Sequence, residues 1–220
     1  DNTNTNIMVL GPTLSGKNAG IMIPTLLTNA EKSFFVYDMK GQSFHFSSGW
    51  RERTGSKVFA FNPGSSESHK FNFLAELDPK GASFEKDVQN IATVMVEDFV
   101  MTQMGKYEHI KAHAKEVLMA AIIHVTVDFP DEKRNINEVG KLLKVSSEQM
   151  YEAFQGYYEE CSHDGAKHIF LEFLESDTDR QGSALFFFKS IFQLYLDPNI
   201  VKNTSSSDFT LSDLCDTDYP

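Results

Sequence analysis

The feature that most constrains this chain is "GPTLSGKNAG", residues 11–20, a glycine loop set between a short apolar run and a stretch of helical character. Gly11, Gly16 and Lys17 satisfy the pattern G-x-x-x-x-G-K-[ST], whose backbone amides cradle phosphates and whose final hydroxyl goes to magnesium. Asn18 stands where that hydroxyl belongs. Loop amides and the N-terminus of a following helix favour an anionic oxygen, and lysine adds a compact positive charge. The pattern in this context points to nucleotide phosphate held by Gly11, Pro12, Thr13, Leu14, Ser15, Gly16, Lys17 and Asn18. The competing reading is a glycine-rich turn with a capping lysine. Asn18 weakens the metal component alone, because its amide oxygen can approach Mg2+ and water can fill the missing place. Thr13 and Ser15 have no His or acid partner in sequence reach, so they shape the loop and are not nucleophiles.

Three apolar runs, residues 6–10, 33–37 and 57–61, alternate with helical stretches at 17–28 and 44–53. Pro24 should kink or shorten the first of these. Strand, helix, strand, helix, strand predicts an α/β fold built on a parallel sheet with right-handed crossovers. Asp38 and Lys40 follow the second run, where ligand-facing residues of open α/β sheets gather. Asp38 either orients a magnesium-bound water, or holds the loop, or belongs to a plain turn ending in a left-handed glycine.

From Phe84 the period becomes helical. Helices are expected over about 107–127, 135–143, 147–158, 168–174 and 183–196, after one on which Val88, Ile91, Ala92, Met95 and Val96 share a face. No strand signal falls between residues 84 and 200. The expected organisation is a nucleotide-binding part over 1–82, an all-α domain over 83–200, and a return segment over 201–220. The closing "DTDYP" offers no natural ending and reads as a cut through a longer protein.

Charge separates these parts. Residues 1–80 hold 8 basic and 7 acidic groups, whereas residues 81–200 hold 11 against 20, a net of −9 within the chain's −11. A surface that negative repels phosphate backbones and favours basic partners, although a solvated helical face has the same composition. No apolar run reaches the roughly 18 residues of a spanning helix, and no basic-then-apolar leader opens the chain. Cys161 and Cys215 show no metal or disulfide spacing, and a reducing compartment is the simplest reading. His109 and His113 stand four apart, but no third ligand is placed and Lys111 and Lys115 are poor neighbours for a cation. These, and His163 and His168, are read as solvated helix positions, so no structural metal site is expected. "LFFFKSIFQLYL" spreads its aromatics over more than one helical face and reads as core.

Other segments resemble a family. "PTLSGKNAGIMIPTLLT" is similar to the nucleotide-binding loop of the TraG/TraD-type coupling proteins of type IV secretion and conjugation systems, which commonly carries glycine at the position of Asn18. "YDMKGQ", "SSGWRERTGSKVFAFNP", "FNFLAEL", "DVQNIATVMV" and "DPNIVKNTSSSDFTLSDL" follow in the family's order. Gln42 replaces the usual glutamate, which puts an acid role there in doubt. The resemblance implies a partial RecA-like P-loop parallel sheet with an inserted all-α helical bundle, binding ATP and Mg2+. It implies a hexameric motor, a cytoplasmic domain of a bacterial inner-membrane-anchored protein, recruiting a protein effector or a relaxase–DNA complex and delivering it to a secretion channel. It also implies that the carboxylates activating water lie downstream, so this piece alone is not expected to hydrolyse ATP. Partners would be other secretion-system components and a cargo or small adaptor on the acidic helices, with DNA less favoured. Two alternatives stand beside it: a cargo-binding module without catalysis, and an unrelated P-loop enzyme such as a small-molecule kinase.

Overall fold

A computed structural model describes the backbone of residues 7–100 and 108–215 and the side chains of residues 7–97 and 111–215. The chain forms two compact units, residues 1–60 with 209–220 and residues 61–208.

In the first unit the glycine loop leads into a π-helical turn, Asn18–Met22, and then α1, Ile23–Thr28. The wide turn falls immediately before Pro24, which has no N–H for the carbonyl four residues back, so the helix is altered where proline demands it. A second helix, α2, spans Gln42–Arg53 and starts from Gly41 at φ 67°. Arg51 ties it to the end of α1, donating to the Asn29 carbonyl at 2.7 Å and the Lys32 carbonyl at 2.6 Å. Its guanidinium also lies 5.2 Å from the centre of the Phe34 ring. Trp50 Nε1 donates to the Leu27 carbonyl at 3.1 Å, and Phe59 stacks on Phe209 at 4.9 Å.

The expected parallel sheet is corrected here: none of the described residues forms a strand, and all their regular structure is helical. The α/β reading therefore fails for the described chain. Asn6, which opens the first apolar run, lies outside the described residues. Ile7, Leu10, Phe35 and Tyr37 are each at least 79% exposed, where a buried parallel strand would hide them. An apolar run shows that a segment suits a sheet, but a strand exists only through ladder bonds to a neighbour and cover on its faces.

The regular structure of the second unit's described residues is helical, with α-helices α3 Phe84–Val100, α4 Glu108–Asp128, α5 Ile136–Leu143, α6 Met150–Glu160, α7 Asp164–Glu175, α8 Thr178–Ile191 and α9 Pro198–Thr204. Helix α4 runs through the centre, packed by α3, α5, α7 and α8. From Ala120 to Thr126 every residue of it is buried, including His124. A helix apolar on nearly all sides has no solvent face to keep, which is why one apolar stripe underestimates it. Phe154, Phe170, Phe173, Phe188 and Phe192 fill the space around it. Polar caps fix the helix starts: Asn135 Oδ1 accepts from the amides of Asn137 and Glu138, and Asp177 Oδ1 accepts from Arg180 N. Asp197 caps α9, whose first residue is Pro198.

Gly140 in α5 meets Phe192 so closely that an added Cβ would stand 2.7 Å from the ring. Gly140→Ala is expected to cost about 1–3 kcal/mol through overpacking, despite alanine's better helix propensity. Chemical denaturation that finds the variant as stable as the parent would refute this contact.

The chain's approach to and departure from this helical unit are bonded to each other. Phe71 N donates to Asn203 O at 2.9 Å and Asp208 N to Lys70 O at 2.9 Å. Lys70 N reaches Asp208 Oδ2 at 2.8 Å and Asn72 N reaches Ser207 Oγ at 2.9 Å. Three buried asparagines extend the network. Asn72 Nδ2 donates to Arg134 O, Asn137 Nδ2 to Val201 O, and Asn203 Nδ2 to both Pro63 O and Ser65 O.

Candidate functional site

The glycine loop is shaped by two left-handed residues, Leu14 at φ 64° and Gly16 at φ 80°. Gly16 takes that conformation at no steric cost, whereas Leu14 is a non-glycine exception with its side chain fully exposed. Ser15 N donates to Pro12 O at 3.3 Å and closes the turn. A Cβ at Gly11 would stand 2.7 Å from Ser15 Oγ, so the exposed serine side chain would have to turn away. Lys17 folds back over the loop, its Nζ donating to the carbonyls of Gly11 at 2.5 Å and Pro12 at 2.8 Å, with Ser15 Oγ at 3.4 Å. Thr13 and Asn18 are exposed on either side of this clasp, Asn18 opening the π turn.

The left-handed turn leads into the start of a helical segment, and one ammonium, held on the Gly11 and Pro12 carbonyls, lies over the turn. Asn18 offers an amide oxygen where a hydroxyl would approach Mg2+.

Asp38 and Lys40 stand elsewhere in the same unit. Asp38 Oδ2 accepts from Phe44 N at 3.0 Å, and its carbonyl accepts from Gly41 N at 3.2 Å, so it satisfies amides at the start of α2. Lys40 is exposed in the same turn, and Gln42 is the first residue of α2. Among the described residues neither Asp38 nor Lys40 hydrogen-bonds to the glycine loop.

The histidines divide by environment. His113 stacks on Phe173 at 5.5 Å, directed toward the core, while the side chain of His109 and all of Lys106 lie outside the described residues. His163 Nδ1 accepts from Ala166 N at 3.3 Å to cap α7, and His168 lies 3.3 Å from Glu172 on an exposed face. Sequence reasoning missed His124, which sits at hydrogen-bond distance from Asp128 and beside Cys161. The four-residue spacing of His124 and Asp128 was a legible signal; the approach of Cys161 was not.

The glycine loop and the helical unit both lie in segments whose order resembles the coupling-protein family, although the sheet that the resemblance implied is absent from the described residues. The family profile described as type IV secretory system conjugative DNA transfer matches residues 2–219. The chain belongs to that family, and the resemblance to coupling proteins of type IV systems is borne out. A conjugal transfer protein TraG of Escherichia coli is 28% identical over 98% of this chain and 35% of its own length. VirD4 proteins of Rhizobium radiobacter and Agrobacterium fabrum (strain C58) are 29% and 28% identical over 94% of the chain and 29% and 30% of their own lengths. The chain thus spans about a third of these curated relatives. No helix among the described residues is long and apolar enough to cross a membrane.

Proposed function

We propose that this chain is the nucleotide-binding and cargo-receiving part of a conjugative or secretory coupling protein. Its loop from Gly11 to Asn18 holds the phosphates of ATP with Mg2+. The observation that carries this reading is the Lys17 clasp over a turn with left-handed Leu14 and Gly16. Bound ATP supplies a phosphoanhydride as an energy source. This chain's own residues bind and orient it: loop amides toward phosphate oxygens, Lys17 toward the terminal phosphates, Asn18 toward the metal. The membership of a transfer family supports the reading, as do relatives named for conjugal transfer. In the whole protein, a hexameric, inner-membrane-anchored motor with this part in the cytoplasm completes the proposal, alongside other secretion-system components. The piece alone is expected to bind ATP without turning it over.

Calorimetry with ATP and Mg2+ tests the site. Weak binding is expected for the parent, and Lys17→Ala should weaken it at least about tenfold, or 1.4 kcal/mol. Equal affinities in the two proteins would overturn the assignment. Asn18→Thr restores a hydroxyl ligand, so its ATP affinity should rise in the presence of Mg2+ and stay level under chelation. A gain under both conditions would refute the proposed role of position 18.

The helical unit supports a second role, reception of a protein cargo or adaptor. Between Glu148 and Asp179 nine acidic side chains face Lys167 as the one lysine or arginine, and all nine acids are exposed on or beside α6, α7 and α8. Such a surface favours a basic protein segment over a DNA backbone. Tight, salt-sensitive binding of the chain to non-specific duplex DNA would count against this role.

A further inference from the structure

One cluster of side chains in the helical unit is not accounted for by packing. His124, near the end of α4, is 1% exposed, and its Nδ1 lies 2.7 Å from Asp128 Oδ2 one turn on. Cys161, 2% exposed, follows the last turn of α6. The potential donor atoms of His124, Asp128 and Cys161 all lie within 4.8 Å of one another. Helix α7 brings them together, because α4 and α6 both pack against it. His124 Nε2 is buried with no hydrogen-bond partner, and the rings of Phe129, Tyr157 and Phe170 lie around the imidazole. The polar contact of this buried ring is therefore directed at one spot. Asp128 opens that spot to solvent: its side chain is 15% exposed, and it also accepts hydrogen bonds from the backbone and hydroxyl of exposed Ser162.

We propose that His124, Asp128 and Cys161 form a binding site for one thiophilic divalent cation of the zinc type, with water or Ser162 Oγ as the fourth donor. Imidazole nitrogen, carboxylate oxygen and thiolate sulfur are the three donor types zinc accepts, at bond lengths of about 2.0–2.3 Å. Donors arranged tetrahedrally at those lengths stand about 3.3–3.8 Å apart. The present separations, from 2.7 Å up to a limit of 4.8 Å, bracket that range.

Charge favours the same reading. A dication with one thiolate and one carboxylate is neutral, so the loaded pocket carries no net charge. On binding, the Cys161 proton leaves to solvent as the Zn–S bond forms. Nδ1 gives up to solvent the proton it shares with Asp128 and takes the metal on its lone pair, while Nε2, facing the aromatic rings, takes one from solvent and keeps the imidazole neutral. Coordination would join the end of α4 to the turn between α6 and α7, across the acid-bearing helices.

The test uses the full, tag-free chain with Co2+, Zn2+ and Cd2+. One equivalent of Co2+ should produce a thiolate-to-cobalt charge-transfer band, which Zn2+ then removes. The band should persist in Cys215→Ser and vanish in Cys161→Ser. Zn2+ should raise the melting temperature of the parent and of Cys215→Ser. Should Cys161→Ser fail to fold, cadmium NMR of Cys215→Ser decides: a resonance in the single-thiolate range supports the site. Absence of the cobalt band at stoichiometric metal, a band that follows Cys215, or free cadmium alone in the NMR spectrum overturns it.

Discussion

Phe154→Ala is expected to destabilise the helical unit by about 3–5 kcal/mol, a large fraction of the roughly 5–15 kcal/mol that holds a domain folded. The ring is fully buried in α6 and packs against Tyr157 at 5.3 Å, Phe170 at 5.9 Å and Phe173 at 4.4 Å between centroids. Removing it deletes the ring contacts and leaves a cavity lined in part by α7, which is packed on another side by α4. Such a wall relaxes only in part, so a cavity cost adds to the lost transfer energy. Phe154→Leu retains most of the volume and should cost much less. Phe186→Ala is the control, because that ring is 71% exposed and its loss should stay within about 0.5 kcal/mol. Urea denaturation followed by far-ultraviolet circular dichroism measures all three. Equal losses for Phe154→Ala and Phe186→Ala would refute the placement of the core.

Asn203→Ala is expected to cost about 2–3 kcal/mol, a large effect for a substitution that removes so few atoms. Asn203 is fully buried, and its Nδ2 donates to Pro63 O at 2.9 Å and Ser65 O at 2.7 Å. Truncation takes the side-chain donor from both half-buried carbonyls, leaving Ser65 O only the Ser68 amide at 3.4 Å. Its Oδ1 is buried without a partner, so deleting that atom returns part of the loss. Asn203→Asp should be worse, since it puts a charge in the same place and aims acceptors at acceptors. Hydrogen exchange adds a local signature: the amides of Phe71 and Asp208, bonded across the neck, should lose protection ahead of α4. Unchanged protection at both amides, with unchanged stability, would show that the neck does not depend on this side chain.

The two substitutions mark different depths of legibility. Phe154 falls in a stretch whose helical period the sequence displays, and α6 is expected at 147–158 and found at Met150–Glu160. The aromatic contacts it makes with α7 required the fold. Asn203 stands in "DPNIVKNTSSSDFTLSDL" and Asn72 in "FNFLAEL", two segments that resemble the coupling-protein family for no reason visible in either alone. Folded, both belong to the network that ties the ends of the helical unit together.

The sequence by itself determined what depends on near neighbours along the chain. Glycine spacing and a following lysine specify a turn of left-handed residues, and the family follows from ordered segments that agree in spacing. Helical periodicity places most of the helices, and the acids between residues 148 and 179 are legible as an exposed charged stretch. Only the tertiary structure decided what depends on distant partners. Three apolar runs suited to a sheet form none among the described residues, because strand pairing is a property of two segments and not of one. Asp38 turned out to satisfy the amides of α2, and His124 and Asp128 met a cysteine more than 30 residues away. Local spacing fixes backbone conformation within a turn or two; hydrogen-bond partners, burial and shared donor clusters are set by which helices pack on α4 and α7.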